Sequence, residues 1–397
     1  MRKLLICSTV CILFSSCGIG IAIKQLDFAL TEDRMEKKTE ATYYYGKKNP
    51  FVFNDFIFLP SKINDTTHLL LYDSGVDCEI LELIPGNAKF PKVRKTMKLT
   101  VRGVSSRVTA KTGLKYYNAE TDFFNFKKIV GKVASASSDT NTYRCIDIMS
   151  LYRPILGLYT FPRRKNTMLL NFSDTTIMLL DSLGQYDTTG FMLVKSTNLW
   201  SGIKIYVMVD SIEYEFNFDT GNNGFLSLPQ SEKHKKENDI SIVGFTSVDV
   251  SGIVIDTITI QNTDAISIGN LDSMQGTISY RKKITQPNMG MEFISQFDWI
   301  IDRYRGKVYA KKIKDTKYDT INYQKYYRVD ALNGTLRISL LPVGETEYQL
   351  FSIIDSVNGE KVTTENICQM VKLLNKPNGF KDNELVILPP KNKEIKK

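Results

Sequence analysis

Two short stretches of the chain share an uncommon shape. His68 to Leu83, HLLLYDSGVDCEILEL, and Tyr214 to Pro229, YEFNFDTGNNGFLSLP, each run an apolar strand into an acid, then Ser or Thr, then Gly, then a second apolar strand. An acid at the end of a core-bound strand is costly unless hydrogen-bond donors meet it. The Ser/Thr-Gly that follows supplies a turn whose amides can do so, and Gly lets a neighbouring backbone come close. One such tripeptide is ordinary turn chemistry. Here there are two, Asp73-Ser74-Gly75 and Asp219-Thr220-Gly221, in matching surroundings. Each is followed by an apolar-Gly step, PILGLYTF from Pro154 and NMGMEFISQF from Asn288. Each half then closes on a strand pair, TMLLNFSDTTIMLL and DWIIDRYRGKVYAKK. The same order twice in one chain predicts an internal duplication, two lobes of like fold.

Period-2 alternation begins at Phe51 and recurs with short turns between, so the expected class is mainly β. The 397 residues suffice for three units. A first lobe is expected over 51–185, a second over 186–316 and a third unit over 317–397. The third holds GTLRISLLPV, YQLFSIIDSVNGEKV, NELVILPP and a helix in TTENICQMVKLLN, for which Thr364 is the expected cap. The other expected helix is GMEFISQF, from Gly290.

Residues 1–23 read as an export signal or membrane anchor. Arg2 and Lys3 precede a short apolar run ending in small residues and Cys17. FSSC resembles a bacterial lipobox, which implies cleavage before Cys17 and lipidation of that cysteine. The alternative is an uncleaved helix over 4–23. Either reading puts the body outside the cytosol, tethered to a membrane; the lipobox resemblance favours an outer-membrane lipoprotein. Residues 24–50, polar and charged, are expected to be a tether. Of the six cysteines, Cys7, Cys11 and Cys17 belong to the signal. Cys78, Cys145 and Cys368 remain, with a Cys78–Cys145 bridge or buried free thiols as the alternatives.

The formal charge of +9 is spread along the chain, with lysine runs at Lys233–Asp239 and the C-terminus. No basic stripe interleaved with aromatics argues for nucleic acid. His68 and His234 are the only histidines, and neither sits in a zinc-ligand spacing or beside a serine elbow. No metal or organic cofactor is expected. Asp-Ser/Thr followed by an apolar residue or Thr recurs, for example at Asp65, Asp210 and Asp256. It resembles an O-glycosylation tripeptide of exported bacterial proteins, and hairpin turns explain it equally well.

Residues 51–314 resemble a two-lobed aspartic peptidase, nearer a tandem retropepsin than a long pepsin. The resemblance rests on the two Asp-Ser/Thr-Gly motifs and on Ile155-Leu156-Gly157 and Asn288-Met289-Gly290 as loop-backing steps. It implies the acid-protease β-barrel fold with pseudo-two-fold symmetry. It implies that Asp73 and Asp219 are catalytic, with Ser74, Gly75, Thr220 and Gly221 supporting the active-site loops. Leu156, Gly157, Met289 and Gly290 would back those loops. Leu99–Ala110 is the expected flap hairpin, with VGFTSVDVSG its counterpart. The substrate would be a polypeptide in extended conformation. The fourth residue of each motif, Val76 and Asn222, departs from the usual Ala or Ser, and Asn288 stands where an apolar residue is usual. FSIIDSVNG in the third unit resembles the strand-turn of a PDZ domain, which implies a site there for a peptide or C-terminus. The rival expectation is an inactive relative that binds peptide without cutting it.

Overall fold

The computed structural model describes residues 18–85, 88–102, 107–135, 145, 154–161, 167–199, 202–232, 239–249, 252–314 and 326–390. Strand far outweighs helix, in three sheets, so the mainly β class read from the alternation holds. One sheet of nine strands is built from residues 40–157, and one of thirteen from residues 196–388. A third sheet of six strands draws on both halves, and at its centre Thr167–Asn171 pairs antiparallel with Phe297–Asp302. Every residue of these two strands is buried. That is why TMLLN and FDWIID lack the alternation of a half-exposed strand. One continuous core follows, with Tyr72, Phe161 and Leu170 of the first half clustered with Phe218, Phe297 and Trp299 of the second.

The expected tether is folded. Gly18–Glu36 is a helix, and its Phe28 and Met35, seven positions apart on one face, are buried against Leu114 and Val130. Asp27 pairs with Lys95, and Glu32 with Lys132 at 3.3 Å. Glu40–Tyr43 then adds a strand antiparallel to Phe124–Ser135, and Asn49–Pro50 pairs with Thr176 and Ile177. Two buried apolar side chains among many charges gave too little periodicity to read. Cys17 and the apolar run before it lie outside the described residues. Among those described, no helix is long and apolar enough to cross a membrane.

The third unit has its own core, in which Val329, Ile338, Ile354, Ile367 and Phe380 are buried together. Its helix is Ile367–Leu374, and Thr363 rather than Thr364 accepts from the amides of Glu365 and Asn366 ahead of it. The unit is fastened at two places. Thr335–Pro342 pairs antiparallel with Ile240–Asp249, the outer strand of the hairpin that contains VGFTSVDVSG. A disulfide joins Cys145 of the first half to Cys368 on the helix. This corrects the Cys78–Cys145 alternative, because Cys78 is a buried free thiol donating to the Ile80 carbonyl. Connectivity among three cysteines depends on how the units dock, which spacing does not reveal. Asn375 seals part of the unit's free edge. Its side-chain amide donates to the Val329 carbonyl and accepts the Val329 N–H, both at 2.9 Å.

The bond links positions 223 residues apart, so it removes much freedom from the unfolded chain. Cys368→Ser is expected to cost about 2–4 kcal/mol of stability. Urea unfolding of oxidised and reduced protein checks this, with the reduced wild type expected to match the variant.

Asp65 and Asp210 sit in hairpin turns with φ of 71° and 49°, as the turn explanation requires. Asp256 is buried beside Arg281, 3.7 Å away, while Thr257, the hydroxyl residue of that tripeptide, is half-buried in the strand Gly252–Ser267.

Candidate functional site

Thr66–Asp73 and Ile212–Phe218 deliver Asp73 and Asp219 to one point. Both loops turn sharply after the acid. The Gly75 N–H donates to Asp73 Oδ1 at 2.8 Å, and the Gly221 N–H to Asp219 Oδ1 at 3.0 Å. The hydroxyls after each acid lock the loops together. The Ser74 amide donates to Thr220 Oγ1 at 2.9 Å, and the Thr220 amide to Ser74 Oγ at 3.0 Å. Each hydroxyl then donates to the carbonyl before the opposite acid, Ser74 to Phe218 at 2.8 Å and Thr220 to Tyr72 at 2.9 Å. All four bonds are buried and exchange partners under a half-turn, so the two halves meet about a local two-fold axis.

The apolar-Gly steps back these loops in the same symmetric way. Leu156 and Gly157 pair parallel with Tyr72 and Asp73, and Met289 pairs with Phe218. The Leu158 amide donates to the Val76 carbonyl and the Met291 amide to the Asn222 carbonyl, at 2.9 and 2.7 Å. A side chain at Gly157 would overlap the Cys78 carbonyl, and one at Gly290 the Gly224 carbonyl. Only glycine fits either place.

The carboxyls themselves are in contact. A Cβ on Gly75 would lie 2.7 Å from Asp219 Oδ1 and 3.0 Å from Asp73 Oδ1, and one on Gly221 would overlap the Asp73 carboxyl. Asp219 is buried and Asp73 half-buried at the solvent side. Burial, and then the charge of Asp219, push the Asp73 carboxyl up to about 8. Burial raises Asp219 as well, against the donors Asn288, Gly221 and Asp73, which favour its charged form. Two carboxyls so placed hold one proton between them, and titrate as a pair.

No family model matches the chain, and no curated protein matches it.

The expected site residues therefore meet where the duplicated pattern requires. Asp73, Asp219, Ser74, Gly75, Thr220 and Gly221 form the junction, and Leu156, Gly157, Met289 and Gly290 support it. Lys95–Arg102 and Arg107–Glu120 form the hairpin expected near Leu99–Ala110, with its tip, 103–106, outside the described residues. The second hairpin is engaged by the third unit along its outer strand. Among the described residues, no group of three or more His, Cys, Asp or Glu could hold a metal ion. Sequence reasoning missed the contacts of Asn288. Its Nδ2 donates to Asp219 Oδ2 at 2.8 Å, and its Oδ1 accepts from Asn222 Nδ2 at 2.6 Å. The available signal was that both residues depart from the apolar or small types usual at those positions.

Proposed function

We propose that the chain is an aspartic endopeptidase of the two-lobed acid-protease type, carrying a PDZ-like third unit. The carrying observation is the reciprocal lock of Ser74 and Thr220, which keeps the Asp73 and Asp219 carboxyls in mutual reach. A water bound between them gives one proton to the ionised carboxylate while its oxygen bonds to the scissile carbonyl carbon. The protonated carboxyl gives its proton to the carbonyl oxygen, so a neutral gem-diol forms. The first acid then passes its proton to the amide nitrogen, and a gem-diol hydroxyl returns one to the second. The C–N bond breaks, leaving an acid and an amine and the pair as it began. The substrate is proposed to be an extended polypeptide, recognised through its backbone. The lipobox-like FSSC supports export, with Cys17 as the membrane tether. A peptide adding along the third unit at Val329 would have to displace Asn375. The two anchorages of that unit favour a bracing role over a receptor role.

The test is hydrolysis of an unfolded protein at mildly acid pH, with and without pepstatin. Inhibited cleavage is the expected result. Peptide binding without cleavage would favour the inactive binding protein instead. The pH dependence has a worked sign. One shared proton is needed, so the rate is expected to fall as pH rises through about 8, where Asp73 loses it, and on the acid side, as the pair takes a second. Stability follows the same proton. A carboxyl raised in the folded state binds its proton more tightly there than in the unfolded chain. Its contribution is full below about 4, the unfolded value, and is lost as pH rises through about 8. Urea midpoints from pH 5 to 8 are expected to decline in the wild type, and to decline less in Asp73→Asn.

A further inference from the structure

The lock is symmetric, but what surrounds the two acids is not. In the first half, the residue after the motif is Val76 and the residue opening the backing step is Ile155. In the second half these places hold Asn222 and Asn288. The two amides form a line with a fixed direction. The Gly224 N–H donates to Asn222 Oδ1 at 3.0 Å, and a backbone N–H can only donate. Asn222 must then turn its Nδ2 outward, to Asn288 Oδ1 at 2.6 Å. Asn288 must in turn present its Nδ2 to Asp219 Oδ2 at 2.8 Å. With the Gly221 N–H on Oδ1, both oxygens of Asp219 face N–H donors. A protonated Oδ2 would set hydrogen against hydrogen. Ile155 offers Asp73 no such donor.

We propose that Asn288, oriented by Asn222, is a positioning residue that makes Asp219 the charged member of the pair and Asp73 the proton carrier. This rests on reading Asp73 and Asp219 as the hydrolytic pair. The reaction then has one polarity: Asp219 takes the water proton, and Asp73 protonates the substrate carbonyl. Burial of Asn288 and Asp219 keeps bulk water from replacing the amide.

The experiment is a carbon-13 NMR titration of the aspartate carboxyl carbons in the full chain, assigned with Asp73→Asn and Asp219→Asn. In the wild type the lower of the two steps is expected on Asp219. Asn288→Leu is expected to raise that step by about one pH unit or more, the scale of a lost donor to a charged carboxylate. In the same variant kcat is expected to fall about tenfold or more and the acid limb of the rate to move up, with KM changed less than about twofold. Asn222→Val, which alters a side chain hydrogen-bonded to Asn288 and Gly224 and to neither acid, is expected to shift both readouts in the same direction by less, and decides the matter if Asn288→Leu does not fold. A lower step on Asp73, or a step unmoved in the variants, overturns the inference. Absence of wild-type cleavage overturns the proposed hydrolysis, and the titration still tests the polarity.

Discussion

Asp219→Asn is expected to reduce hydrolysis of an unfolded protein by about three orders of magnitude, within the range of a lost general base, while the fold survives. The amide has the shape of the carboxylate, but its single oxygen can accept from Asn288 or from the Gly221 N–H, not from both. It cannot take a proton from water. Removing a buried negative charge beside Asp73 offsets the one donor left without its acceptor, so the variant is expected to stay folded near neutral pH. Asp73→Asn is expected to lose as much activity by a different route, since the donor to the substrate carbonyl is gone. Hydrolysis that persists in either variant would show that the carboxyls do not act as a pair. Peptide binding that survives in both, with no cleavage by the wild type, would favour a binding protein.

Thr220→Val is expected to cost about 2–5 kcal/mol of stability, and most of the activity with it. Valine matches threonine in shape, so no cavity opens. The loss is of two buried hydrogen bonds, leaving the Tyr72 carbonyl and the Ser74 amide of the opposite half without this partner. A stranded buried polar group costs about 1–3 kcal/mol. Ser74→Ala is expected to behave alike, through the Phe218 carbonyl and the Thr220 amide. Urea midpoints measure the stability, and the rate on an unfolded substrate measures the spread of the carboxyls. Replacing a surface threonine would change the stability by about 0.5 kcal/mol at most, so such a result would deny the lock its part.

Much of this centre was legible because its chemistry is local. An acid closing an apolar strand needs the turn after it, and Gly157 and Gly290 are demanded by carbonyls that come too close for any Cβ. Period-2 runs carried the β class, and TMLLN and FDWIID were legible as strands closing each half, but not as partners in one sheet. What could not be read depended on distant partners. The helix Gly18–Glu36 is held by two apolar side chains, and its surface is polar enough to pass for a tether. Cys145 finds Cys368 only because the third unit docks through Thr335–Pro342. Asn288 was visible as an exception to the repeat, but its use lies in Asp219 and Asn222, each about 70 residues away in the chain.

The cross-link between the first half and the helix of the third unit closes a covalent ring that encloses the whole of the second half. A nick at any one bond inside that ring leaves the pieces a single molecule until a reductant arrives. Self-cleavage there would pass unseen on a non-reducing gel and appear as two bands once thiol is added.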